Sequence, residues 1–254
     1  MQPFYDPEKS YEENFHEGPF SAFADGKVFE RAGEPEYNFL GHPVYLPFGI
    51  PAGPLLNSRF IKGALDKGFD IPVQKTVRTR RYKCHPWPNG LAVEVQGDLT
   101  LEKAQTPLVA SHSYTQPLSI TNSFGVPSRD PEFWQQDIAD AVAYAKKGQV
   151  VMASVEGTKW DGYSSKDYIA DWALGAKLLK ETGVGIIEAD FSCPNEGTTS
   201  LLCFDIEKSR QIAEAMKNEI GGTPLVLKTA YFQEHLLREF VQAHQGDAQV
   251  QAIF

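Results

Sequence analysis

The chain is poor in cysteine and in basic residues, and it has no long apolar run. Three cysteines, Cys84, Cys193 and Cys203, are spread over 254 residues. So sparse and odd a set reads as reduced thiols in a reducing compartment, not as a disulfide scaffold. Lys and Arg total 24 against 33 Asp and Glu, a formal charge of -9 and a pI near 5.2. An acidic surface argues against phosphate-backbone binding, so no nucleic-acid partner is expected. No apolar stretch approaches the length of a bilayer span. The opening residues MQPFYDPEKSYEENF are acidic and polar, without a cationic segment leading into an apolar one. Neither a membrane partner nor a secretion signal is therefore expected, and a cytoplasmic protein is the default. There is no GxGxxG after a strand, no P-loop and no HExxH, which removes support for NAD-type Rossmann binding and for zinc hydrolysis. The 6 histidines are scattered without ligand spacing, and no metal is expected.

What is present is ordinary globular composition, 42% hydrophobic and 22% charged, at a length that suits one large α/β domain or two small ones. Residues 1–40, rich in acids, Pro and Gly, read as an irregular N-terminal arm. Residues 41–254 alternate between short apolar runs and helical patterns. Asp130 before Pro131 is an N-cap followed by a first-turn proline, and Phe133, Ile138 and Val142 recur at helical spacing. Ser164 and Asp167 stand at capping-box spacing before Ile169, Trp172, Ala176 and Leu179. Asp205 opens a further helix that ends at Gly221, and another is expected near Gln233 to Ala243. Strands are expected at Tyr45–Gly53, Phe69–Lys75, Pro117–Asn122, Val150–Val155, Gly185–Asp190, Pro224–Lys228 and Gln249–Phe254, seven in all. Strands apolar throughout are buried on both faces, and their alternation with helices implies parallel βαβ units. A doubly wound sheet and a barrel both fit.

In a parallel barrel the active groups gather at the C-terminal strand ends. Gly53, Lys75, Asn122, Ser154, Asp190 and Lys228 stand there, each small or polar. Cys193, in DFSCPN just past a strand end, is either a small buried hydrophobe or a thiol able to act as a general base. Lys75 and Lys228 end apolar strands and are costly to bury without an anionic partner. They either snorkel at the rim or face an anionic ligand. The run KTVRTRRYKCH from Lys75 to His85 carries five cations and no acid; it is a solvated loop or a steering surface for an anionic substrate.

From about residue 44 onward these segments resemble the dihydroorotate dehydrogenases. FGIPAG, ending in Ala52-Gly53, resembles that family's first-strand segment, whose backbone lies against the flavin. QKT at Gln74–Thr76 resembles the segment with the active-site lysine. TNSFGVPS resembles a substrate loop, which gives Asn122 and Gly125 substrate-binding roles. SVEG at Ser154–Gly157 resembles the fourth-strand end. EADFSCPN resembles E-L-N-L-S-C-P-N, the most specific of the motifs, and VLKTAYF resembles the segment whose lysine, here Lys228, contacts the flavin. The resemblance implies a TIM-type (β/α)8 barrel with about seven of its strands in this chain, FMN as cofactor and a dihydropyrimidine as small-molecule substrate. It also implies Cys193 as base, with Lys75, Asn122, Gly125, Asp190 and Asn195 at the substrate, and Ala52, Gly53, Lys75, Ser154 and Lys228 at the cofactor. A Cys at the base position is similar to the soluble class 1 branch; the membrane-associated class carries Ser.

Two departures stand out. Asp190 occupies a place usually held by Asn, and a carboxylate there would repel anionic orotate. The sequence also stops before the eighth strand and the Gly-rich phosphate loops, so the barrel reads as C-terminally incomplete and weak FMN binding is expected. A dihydropyrimidine-dehydrogenase-like enzyme acting on neutral pyrimidines stays open, as does a non-catalytic barrel without flavin. A tRNA-dihydrouridine synthase should be basic, which this chain is not. A homodimer and an electron-transfer partner subunit are both compatible with the resemblance.

Overall fold

The computed structural model describes residues 4–114, 119–194, 201–245 and 250–253. Its first helix, α1 (Tyr11–Glu17), lies in the arm expected to be irregular. Ser10 and Glu13 form a capping box at its start, and Tyr11 and Phe15 are buried in the main core. A hairpin follows, β1 (Tyr37–Phe39) against β2 (His42–Val44). Its two turn residues, Leu40 and Gly41, both have positive φ, 50° and 92°, the backbone that matches the twist of a tight hairpin. Next come α2 (Ser58–Asp66) and β3 (Val73–Val77), then three short strands, β4 (Gly90–Val93), β5 (Ala110–Ser111) and β6 (Ile120–Asn122). The rest alternates without interruption: α3 (Pro131–Tyr144), β7 (Met152–Val155), α4 (Ser165–Glu181), β8 (Ile186–Asp190), α5 (Ile206–Ile220), β9 (Leu225–Lys228), α6 (Glu234–Gln245) and β10 (Val250–Ile253).

Strands β3, β7, β8, β9 and β10 form one sheet in the order β10-β9-β8-β7-β3, every pair parallel. Each is joined to the next by a helix, which is the wall of a (β/α)8-type barrel. Among the described residues the wall does not close into a ring. Two of the seven expected strands differ from expectation. Tyr45–Gly53 forms no regular strand, because Pro47, Pro51 and Pro54 remove donors and bend the chain. It still fills the first-strand place: Ile71, Val73 and Lys75 donate their N–H groups to the carbonyls of Phe48, Ile50 and Leu55. Gly49 permits this approach, since a Cβ there would lie 1.7 Å from the Ile71 oxygen. The segment before Asn122 is not a barrel strand either. Its described part, β6, pairs antiparallel with β4 in a separate three-stranded sheet, exposed along its length; Pro117 and Leu118 lie outside the described residues. The expected strand ending at Lys75 runs on to Val77. Both capping predictions at Ser164 and Asp205 hold, and Asp130 caps α3 without a side-chain bond.

Apart from a register shift in β3, the strands alternate between two faces. Ala153, Val155, Ile187, Ala189, Leu225 and Leu227 pack outward in the helix-covered core. Val73, Met152, Ile186 and Val226 point inward and meet Val44 of the hairpin, which plugs one end. Further along each strand the inward face turns polar: Ser154 two residues after Met152, Glu188 two and Asp190 four after Ile186, Lys228 two after Val226. One end of the barrel is thus apolar and sealed, the other charged.

Candidate active site

The charged end is the C-terminal end of the strands. Its centre is Asp190, the last residue of β8, whose side chain is only 7% exposed. Lys228 Nζ donates to Asp190 Oδ2 at 2.6 Å, and Thr76 Oγ1 lies 3.2 Å from the same oxygen. Asp190 Oδ1 accepts from the Ser192 hydroxyl at 2.8 Å and from the Ser192 N–H at 3.3 Å. Four donors saturate the four lone-pair positions of a carboxylate. Asp190 therefore ties β3, β9 and its own following turn together, and its charge is met by Lys228.

Cys193 is buried one residue beyond Ser192, and its thiolate form would raise the proton affinity of Lys228, so the two are electrostatic neighbours. Burial lowers the proton affinity of Lys228, but the Asp190 and Glu188 carboxylates outweigh it and hold the ammonium above the ordinary lysine value. Cys84 and Cys203 are the other two thiols. Burial pushes the Cys84 thiol up to about 11 and raises Cys203 as well.

Lys75 is 7% exposed. Its Nζ sits 5.4 Å from the centre of the Phe124 ring, and no carboxylate among the described residues is within ion-pair distance. Burial pushes its ammonium down to about 8, the Asp190 charge opposing. The Phe124 contact also brings the loop sheet to the barrel mouth, since Asn122, at the end of β6, precedes it by two residues. Asn122 itself is exposed, and Gly125 turns with φ 73° against the His85 ring. Ala52 and Gly53 are half-buried on the segment that borders β3, and a Cβ at Gly53, with its φ of 147°, would meet nothing within 4 Å. Ser154 Oγ is 3.0 Å from Thr76 Oγ1. Asn195 lies outside the described residues. The structure thus gathers Lys75, Ser154, Asp190, Cys193 and Lys228 at one end; of the loop sheet it is Phe124 that touches this cluster, with Asn122 exposed and Gly125 against His85.

Three groups escaped the sequence reading. Glu188 is inward-facing and 5% exposed, its Oε1 has no hydrogen-bond partner, and its register partner on β7 is Ser154. Burial pushes this carboxyl up to about 7, Lys228 opposing. Its signal was an acid two residues before Asp190 in an otherwise apolar strand, hence on the same face. Thr76, next to Lys75, faces inward because the β3–β7 register shifts between Gln74 and Val77. Arg78 and Glu156 form an ion pair at 3.2 Å with side chains 1% and 0% exposed. Arg78 also donates through Nε to the Val126 carbonyl at 3.0 Å, so the basic run is solvated only in part. Arg80, further out, stacks on Trp160 and Tyr163.

A parallel α/β barrel wall with an apolar plug at one end and a buried charged cluster beside a strand-end cysteine at the other is the layout of a barrel enzyme. No family profile matches the chain. A dihydroorotate dehydrogenase of Dictyostelium discoideum is 32% identical over 258 aligned positions, covering 96% of this chain and 69% of that protein. The chain belongs to the dihydroorotate dehydrogenase family and is an oxidoreductase acting on CH–CH donors. No helix among the described residues is long and apolar enough to cross a membrane.

Proposed function

We propose that the chain oxidises dihydroorotate, or a closely related dihydropyrimidine, to the corresponding pyrimidine in pyrimidine biosynthesis, with FMN as its cofactor. The observation that carries this reading is Lys75: a buried ammonium over an aromatic ring, without a carboxylate at ion-pair distance among the described residues. A buried cation is costly unless paired, so its place at the charged end of the barrel fits a ligand that arrives with negative charge. The carboxylate of dihydroorotate supplies that charge.

The flavin ring fits the same end. Gly53 leaves open space where a side chain would stand, and Lys75, Ser154 and Lys228 present polar groups on neighbouring strands. Ala52, Gly53, Lys75, Ser154 and Lys228 would hold the ring, which when bound supplies the hydride acceptor. The chain's own part is binding, orientation and one proton. Cys193, as thiolate, removes the proton from the substrate carbon next to the one that gives up hydride. Lys228 keeps a positive charge beside that thiolate, which favours the ionised form. Asn122, Gly125 and Asn195 hold the pyrimidine's polar groups. Asp190 contributes by fixing Lys228 and the turn that carries Cys193.

The test is anaerobic mixing of the FMN-loaded protein with dihydroorotate, dihydrouracil and dihydrothymine in turn. Bleaching of the flavin band by dihydroorotate is expected. Bleaching by the neutral dihydropyrimidines alone would overturn the assignment of Lys75 to a substrate carboxylate.

A further inference from the structure

The N-terminal arm reaches the active site through aromatic rings. Its first part closes on itself, since Phe20 donates its N–H to the Phe4 carbonyl at 2.9 Å. Asn14, fully buried on α1, fastens the turn in between. Its Oδ1 accepts from the Asp6 N–H at 2.8 Å, and its Nδ2 donates to the Asp6 carbonyl at 2.8 Å and to the Ser10 carbonyl at 3.0 Å. Asn57, the N-cap of α2, donates to the Phe15 carbonyl at 2.9 Å and moors the arm to the barrel. What this fastened element presents is Tyr5 and Tyr11. Both rings meet Phe124 edge-to-face, with centroids 5.8 and 6.1 Å away and planes at 88° and 64°. Phe124 is the ring that lies 5.4 Å from Lys75 Nζ. Its backbone is held separately, its carbonyl accepting from the His85 N–H at 3.0 Å. The basic loop thus fixes the backbone of Phe124, and the arm fixes its ring.

We propose that Tyr5 and Tyr11 are positioning residues that hold the Phe124 ring against Lys75, so that the arm forms part of the active-site wall and keeps this lysine dry for the negative charge of a substrate. Aromatic pairs prefer edge-to-face geometry, and a ring face attracts a cation most where water is excluded. Without the two tyrosines the half-buried Phe124 ring can turn outward and water reaches Nζ. The ring of Tyr5 does this and not its hydroxyl, which is buried without a hydrogen-bond partner among the described residues.

The low proton affinity of Lys75 agrees with a dry setting. The titratable groups that act on it are Asp190 on β8, Lys228 on β9, Glu156 just beyond β7 and Cys84 in the basic loop. On the side of the arm, Asp6 lies near Tyr5, and Glu12 and Arg129 lie near Tyr11. The part played in substrate binding rests on the function proposed above; the packing of arm, ring and lysine does not.

The test is competitive acetylation of the full chain by acetic anhydride, without flavin or substrate, with the rate at Lys75 followed against pH by peptide mass spectrometry. Only the neutral amine reacts, so the midpoint belongs to that lysine. A wild-type midpoint near 8 is expected. Tyr5→Leu, Tyr11→Leu and Phe124→Leu should each move it up toward the ordinary 10.5. Tyr5→Phe, which keeps the ring, should restore the wild-type midpoint. Lys217 on α5, whose Nζ donates to the Thr223 carbonyl at 2.8 Å, is the internal reference and should not move. A Lys75 midpoint that stays at its wild-type value in Tyr5→Leu and Tyr11→Leu would overturn the proposal. An equal movement at Lys217 would do so too, since it would mean general loosening. If Tyr11→Leu does not fold, Tyr5→Leu, at a half-buried position, decides alone. In the FMN-loaded protein the two tyrosine-to-leucine variants should raise the KM for dihydroorotate about tenfold; a fall in kcat with KM unmoved would overturn the positioning role. The acetylation needs no turnover, so its failure leaves the dehydrogenase assay standing, and failure of that assay leaves these midpoints standing.

Discussion

Stability should pass through a minimum near neutral pH that two buried residues create. Burial holds Glu188 up from 4.5 to about 7 and Lys75 down from 10.5 to about 8. A tenfold change in proton affinity is about 1.4 kcal/mol, so each displacement corresponds to about 3 kcal/mol. The signs are opposite in pH. Between 4.5 and 7 the folded chain keeps a proton on Glu188 that the unfolded chain has lost. Folding then takes up a proton, and this contribution, fully present below 4.5, is lost as pH rises. Between 8 and 10.5 the unfolded chain keeps a proton on Lys75 that the folded chain has lost. There stability recovers as pH rises, the cost of burying an ammonium having been removed.

The assay is urea unfolding at fixed pH, read as the difference between wild type and variant so that the exposed carboxylates cancel. Glu188→Gln should erase the acid limb and leave the alkaline one, and Lys75→Met should do the reverse. A wild-type minus Glu188→Gln difference that stays flat between pH 4.5 and 7 would refute the reasoning, because Glu188 would then titrate alike in both states.

Three further outcomes follow from the same geometry. Arg78→Met should cost about 3–5 kcal/mol in urea unfolding, because it strands the buried Glu156 carboxylate; a loss no larger than the ~0.3–0.5 kcal/mol of an exposed helix pair such as Arg238–Glu234 would contradict the burial. Cys193→Ala should slow flavin reduction by dihydroorotate about 10²–10⁴-fold while the flavin spectrum persists, and an unchanged stopped-flow rate would reduce Cys193 to a core residue. Gly157→Ala would place a Cβ 2.2 Å from the Trp172 ring, so thermal unfolding should show a loss of about 1–3 kcal/mol; an unaltered melting temperature would mean that Trp172 can swing aside.

How far the sequence was legible depended on whether the signal was local. Capping at Ser164 and Asp205 and the runs Val150–Val155 and Gly185–Asp190 carry their structure in a few neighbouring residues; the caps form, and the strands form over Met152–Val155 and Ile186–Asp190. Tyr45–Gly53 was misread because apolar content is shared by strands and by proline-bent extended chain, and only the ladder tells them apart. The Ile120–Asn122 strand was assigned to the wrong sheet because partners are chosen in three dimensions. At the site, Lys75, Asp190, Cys193 and Lys228 were legible as polar groups at the ends of apolar runs. Thr76 was not, because a register shift in β3 turns it inward beside Lys75 against simple alternation. Glu188 was hidden by its setting, since an acid inside a strand reads as an interruption of the apolar run. Alternation puts it on the face of Asp190, and an acid on that face can be buried only with help. That help comes from Lys228, on another strand. The charge state of Asp190 raises the same issue. From the sequence it is a carboxylate facing an anion; with Lys228 at 2.6 Å it is half of a neutral pair. The sign of the field at the barrel mouth is therefore set by which lysine is paired among the described residues, Lys228 and not Lys75, a property of the packed strands that no single motif contains.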